Sequence, residues 1–280
     1  MRKILLFILL FLLATSLGFG QKQNDWTKLE LKGRVKSLKT TATYRSEKEG
    51  MLTKWQSAQS TFILFDKNGY SLEKLDYKED GSLFYKTVYT LNADSQLTQS
   101  LVTWPDGKPG GKTTFCYDNK GNMIEEINYK PDGSIANTSN YKYDANGNKT
   151  ENSIKSNLEN QGSGTSYYEY DNKGNLIKTS HPLRHGGTAW YYSIKKYNEK
   201  GKIIEEGGVF SDDGPSDMKT FWKYDDKGNV AEIIITGIPA LEHHSFYIYE
   251  YDKQGNWIKK TSSLENMIPR TIEDRVIEYY

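Results

Sequence analysis

The residues able to do chemistry are few and scattered. The 280-residue chain has four histidines and one cysteine. His243 and His244 are adjacent, so on a strand they point to opposite faces and cannot share a metal. His181 and His185 flank Pro182 and Gly186-Gly187, with no carboxylate at ligand spacing. Cys116 has no histidine companion and reads as a packed thiol, not a nucleophile. The aspartates Asp66, Asp118, Asp144, Asp171, Asp225 and Asp252 recur in one motif. Each loop offers a calcium ion one guaranteed carboxylate where the ion takes six or more oxygens, so these side chains read as turn caps. The aromatics remain: 21 Tyr, 6 Trp and 10 Phe. A row of exposed rings suits a sugar or a peptide, and Trp55, Trp104 and Trp190, which lie outside the repeating pattern, are the candidate ligand contacts. No catalytic residue, cofactor site or metal site is expected.

The elements that must position these residues are set by a repeat. Tyr117-Asp118-Asn119-Lys120-Gly121-Asn122-Met123-Ile124 returns as Tyr170-Asp171-Asn172-Lys173-Gly174-Asn175-Leu176-Ile177. Copies follow at Tyr143-Asp144, Tyr224-Asp225 and Tyr251-Asp252, with looser ones at Phe65-Asp66 and Tyr197-Asn198. The glycines Gly121, Gly147, Gly174, Gly201, Gly228 and Gly255 are spaced 26, 27, 27, 27 and 27 residues apart. Spacing this constant implies one continuous array. Within the motif, Asp accepts a hydrogen bond from the backbone two residues on, and Gly three residues later takes the left-handed conformation that ends a type I turn in a G1 bulge. Each copy is therefore a hairpin corner. A second turn lies between corners, as in Glu79-Asp80-Gly81 and Pro131-Asp132-Gly133, giving two strands per repeat. Alternation places Tyr168, Tyr170 and Leu176 on one face, which reads as the inner one. The opposite face carries Glu169, Lys196, Lys223 and Glu250 where a lipid-facing barrel needs an unbroken apolar band. A mean hydropathy of −0.75 agrees, so no membrane-spanning role is expected once the leader is removed.

The ends depart from the pattern. Leu29 through Leu38 resembles a corner without its Tyr-Asp, and the first hairpin is long, with its tip near Glu47–Gly50. Arg275 through Tyr280 is a strand with no turn after it. Sixteen to eighteen strands result, too many for a flat sheet, so the meander must curl into a spiral, half-shell or barrel. Before it, Arg2 and Lys3 precede an apolar run from Ile4 to Leu13 and small residues up to Gly20. This is the layout of a secretory signal peptide, too short to span a membrane. The expected organisation is a signal peptide over residues 1–20 and one β domain over 21–280, exported to the periplasm, surface or medium. Removing two basic residues and no acids takes the formal charge from +1 to −1, which gives no electrostatic case for nucleic acid.

The corners Tyr-Asp-x-x-Gly-Asn followed by Leu, Met or Trp and Ile resemble the YD repeats of the Rhs and wall-associated protein families, over about Lys32 to Tyr280. The similarity is to short exported YD-repeat proteins. In the large members of these families such repeats form a hollow β-shell, and some members are credited with carbohydrate binding. The resemblance implies an all-β tandem-hairpin fold, with Asp118, Asp144, Asp171, Asp225, Asp252 and the corner glycines as structural residues. Three functions stay open: a non-catalytic scaffold binding a glycan or envelope protein, a glycan-directed enzyme with its site in a cavity of the sheet, and a component or remnant of an Rhs-type contact system.

Overall fold

The computed structural model describes residues 24–48, 51–158, 162–182, 190–210, 214–237, 242–265 and 267–280. The expected signal peptide, His185 and the tip at residues 49–50 lie outside them. Eighteen strands form a closed antiparallel wall, from β1 (Val35–Tyr44) and β2 (Ser60–Phe65) through β18 (Pro269–Tyr279). Each strand pairs with its neighbours in sequence, and β1 pairs with both β2 and β18. Of the curled forms open to the sequence, the chain adopts the barrel. Only one short helix, Asp25–Lys28 (α1), occurs among the described residues.

One corner shows why the sequence folds this way. In the hairpin of β10 (Gly164–Tyr170) and β11 (Leu176–Pro182), the Asp171 amide donates to the Asn175 carbonyl at 2.9 Å, and the Gly174 amide donates to the Asp171 carbonyl at 3.0 Å. Gly174 sits at φ +81°, a conformation costly for any residue with a Cβ. The Asp171 Oδ1 accepts from the amides of Lys173 at 2.9 Å and Asn175 at 2.8 Å, and its Oδ2 accepts from the Asn175 side chain at 2.8 Å. Tyr170 then pairs with Leu176, but Glu169 pairs with Lys178. Ile177 is thus an extra residue, a bulge that keeps the strands twisted.

The apparent defects at the two ends are one corner split between them. Val35 pairs with Tyr279, as Leu176 pairs with Tyr170, and the register again shifts one step on, between Val35 and Ser37. The Tyr280 amide donates to the Arg34 carbonyl at 2.9 Å, the counterpart of the bond from Asp171 to Asn175. Gly33, at φ +80°, stands where Gly174 stands. The Tyr-Asp missing upstream of Gly33 is supplied by Tyr279-Tyr280. Eight continuous corners and this ninth account for all eighteen strands.

The segment Asn24–Gly33 fixes which face is inside. The Asp25 amide donates to the Gly69 carbonyl at 2.9 Å, and Asp25 Oδ2 accepts from the Ser71 amide at 2.7 Å. Five residues on, Glu30 meets Lys202 at 3.5 Å. The corners of Gly69 and Gly201 are four hairpins apart around the wall, a path of about 40 Å at roughly 10 Å per hairpin. Six residues reach at most about 21 Å, so the segment crosses the inside of the corner end. Trp26 and Leu29 pack there against Leu31, Val35, Leu38 and Phe65. Those last four are the buried hydrophobic side chains among the described residues. Elsewhere the wall has no solid apolar core, and eighteen strands enclose room for water.

Candidate functional site: a polar and aromatic lumen

The face shared by Phe65, Leu38 and Ile63 with the inner segment is the face of the corner tyrosines, so tyrosines line the lumen. Those at the corners are structural. The hydroxyls of Tyr117, Tyr143, Tyr170, Tyr197 and Tyr224 donate to the carbonyls of Leu97, Met123, Lys149, Leu176 and Ile203 at 2.6–2.8 Å. Each ring therefore stitches its hairpin to the preceding one, which the 27-residue spacing makes repeatable. Burial is the first cause that pushes the hydroxyls of Tyr170, Tyr197 and Tyr224 up to about 12.

The outer face is charged beside the same corners. Five consecutive hairpins carry a cross-strand pair there: Lys142–Glu151 at 2.9 Å, Glu169–Lys178 and Lys196–Glu205 at 2.8 Å, Lys223–Glu232 at 2.7 Å and Glu250–Lys259 at 3.3 Å. Ile194, Tyr167, Ile248 and Val276 are exposed on this face as well, and the first three share a strand with these charges. These ions form a charged girdle beside the corners of five consecutive hairpins, about half the circumference.

Between corner and opposite rim the lumen carries a hydrogen-bonded belt. Glu126 Oε1 accepts from the Asn128 amide at 2.9 Å, and Glu126 Oε2 accepts from the Tyr141 hydroxyl at 3.1 Å. The same Asn128 amide donates to Asn137 Oδ1 at 2.9 Å, while Thr113 donates to Asn128 Oδ1 at 2.7 Å. Lys149 lies over the rings of Tyr141 at 5.3 Å and Tyr168 at 4.7 Å. Burial holds its ammonium below the usual lysine range, against the pull of Glu126. Asn152, paired across the strands with Tyr141, keeps a buried Oδ1 with no hydrogen-bond partner. On the far wall Ser193 donates to Glu206, with Lys195 at 3.8 Å, and Lys260 pairs with Glu273. The arrangement offers donors, acceptors and ring faces, the complement of a hydroxyl-rich molecule.

The three candidate tryptophans fall at the rim opposite the corners. Trp104 opens the turn after Thr103, 38% exposed, with its ring centroid 5.8 Å from Phe84 and 6.1 Å from Tyr85. Trp55 lies beyond the end of β1, exposed, with the Arg45 guanidinium 4.6 Å from its ring centroid. Trp190 pairs with Pro182 at the same rim, and its side chain lies outside the described residues.

The remaining sequence candidates separate. Cys116 is exposed on the outer face, not packed, because its place one residue before the corner tyrosine is the place lysine and glutamate hold in other repeats. His244 faces out and meets Glu232 at 3.2 Å, and His181 faces the lumen, 2.8 Å from the Ser166 hydroxyl. Burial first, and Lys195 second, lower the His181 pKa. Asp118, Asp144 and Asp171 spend both oxygens within their turns, Asp225 and Asp252 turn Oδ2 to the hydroxyls of Tyr251 and Tyr279, and the described residues hold no group of three metal-ligating side chains. Sequence reasoning missed the inner segment, the belt and Asp76. Glu126 falls midway along its strand and Asp76 one residue from the end of its own, where no repeated motif marks them.

No protein-family model matches the chain, and no curated protein sequence matches it. Among solved structures it is similar to a porin-like protein from Bacteroides uniformis (TM-score 0.48, 11% identity, 88% of this chain and 99% of that one) and to a porin-like protein from Bacteroides vulgatus (0.33, 12%, 88% and 98%). It is also similar to part of the Photorhabdus luminescens Tc holotoxin pore (0.21, 11%, 80% of this chain and 16% of that one). At such scores these likenesses add nothing to the closed barrel that the strand pairing already shows.

Proposed function

We propose that this chain is a non-catalytic binding barrel of the cell envelope, which takes a hydroxyl-rich ligand of glycan type into its lumen. The observation that carries the reading is the luminal belt of Tyr141, Tyr168, Asn128, Asn137, Asn152 and Glu126, aligned on neighbouring strands. Each luminal carboxylate named above is engaged by a hydroxyl, an amide or a lysine, an arrangement for holding a ligand and not for proton transfer. The leader at residues 1–20 would export a single domain of residues 21–280. The Tyr-Asp corners favour descent among short exported YD-repeat proteins, and the charged girdle favours a barrel that stands in water.

The test is calorimetric titration of the 21–280 protein with maltohexaose, cellohexaose and N-acetylchitohexaose, each mixture then assayed for shortened products. Binding by the wild type, weakened at least tenfold in Glu126→Gln or Tyr141→Phe without cleavage, is expected. Shortened products that vanish in a single carboxylate variant would replace this reading with the glycan-directed enzyme.

A further inference from the structure

At the rim opposite the corners, one arc of the wall gathers three rings around a carboxylate. Phe84 and Tyr85 begin the strand Leu83–Leu91, with ring centroids 5.0 Å apart, and Trp104 approaches both from the next turn. Gly110, two strands from Phe84, makes room for the indole. A Cβ there would stand 3.1 Å from the Trp104 Nε1 and 2.7 Å from Val102. Asp76 pairs across the strands with Tyr85. Its Oδ1 holds Lys74 at 2.8 Å and the carboxylate also engages the Tyr85 hydroxyl, while Oδ2 itself is buried with no hydrogen-bond partner. An orphan acceptor of this kind costs stability unless something donates to it.

We propose that Asp76, Phe84, Tyr85 and Trp104 form a subsite for one pyranose ring of a neutral oligosaccharide at the mouth of the lumen. This rests on the luminal-binding reading and gives it a point of entry. The sugar's C–H face stacks on the Trp104 indole and its hydroxyls donate to Asp76 Oδ2. Lys74 already balances the Asp76 charge, so the site selects a neutral donor over a cation. Gly110 is a specificity element, because any side chain there displaces the indole.

The experiment uses the same three hexasaccharides and follows tryptophan emission and titration heat at a temperature below the melting transition of every variant. Trp104→Ala and Asp76→Asn should each weaken the oligosaccharide that binds wild type by at least tenfold, and Trp104→Phe should retain most of the affinity. Asp76→Asn serves as the second arm should Trp104→Ala fold poorly. Unchanged binding in Asp76→Asn and Trp104→Ala, with loss in Glu126→Gln, overturns the rim subsite and leaves the luminal reading standing. Failure of all three oligosaccharides to bind wild type overturns both.

Discussion

At the residue scale, the corner glycines and tyrosines do different work. Gly174 is held at φ +81°, so Gly174→Val should cost roughly 1–3 kcal/mol. Lys173→Val, at an ordinary turn position beside it, should cost well under half of that. Denaturant melts of the two variants decide, and equal losses would refute the bulged turn. Tyr170→Phe removes the 2.8 Å bond to the Lys149 carbonyl and keeps the ring. Its expected loss is about 1 kcal/mol, with no change in ligand affinity. Much of this was legible in the sequence, because turn chemistry is local: Asp, Gly and their spacing name the turn before any tertiary contact exists. Cys116 shows the limit. Residue type predicts a packed thiol, but the alternation of the strand places it outside.

At the scale of the element, the stitching tyrosines couple each hairpin to the last. Their titration gives a sign that can be checked. Burial favours the neutral phenol and pushes the hydroxyls of Tyr170, Tyr197 and Tyr224 up to about 12, above the ordinary tyrosine value of about 10. A folded pKa above the unfolded one means that the stabilisation is complete below pH 10 and disappears as pH rises from 10 towards 12. The melting temperature should therefore fall steeply across that window, together with a rise in tyrosinate absorbance. Tyrosinate forming at pH 10 without loss of structure would show the rings to be solvated. The outer ion pairs should contribute little: Lys196→Ala should shift stability by less than about 1 kcal/mol, since Lys196 is 62% exposed. The repeat pattern makes the hairpins legible, but it is silent on Asp76 and on the inner segment. Those depend on which distant strands become neighbours.

At the scale of the whole molecule, the girdle and the lumen divide the barrel's two surfaces. With Lys142, Lys196 and Lys223 outside, the 21–280 protein should remain monodisperse without detergent and should not partition into liposomes. Flotation of the protein with vesicles would contradict that and would favour a pore. Closure itself was only one option among the curled forms, because local rules fix how a hairpin turns but not how many complete a circle. The corner resemblance at Leu29–Leu38 held half of the answer and the unturned strand at Arg275–Tyr280 the other half. Neither half contains a full motif, so each looks like an end.

The split corner has a consequence in time. Val35 finds Tyr279 only 244 positions further along the chain, whereas every other corner closes within its own few residues. The hairpins can therefore form as the chain emerges, while the ring waits for its last strand. Until then the side of β1 that will receive β18 stands as an open edge beside an incomplete apolar cluster. Folding should show a fast phase of hairpin formation and a slow one in which Trp26 becomes shielded. Changing Ile277 to Ala should slow the second and leave the first untouched.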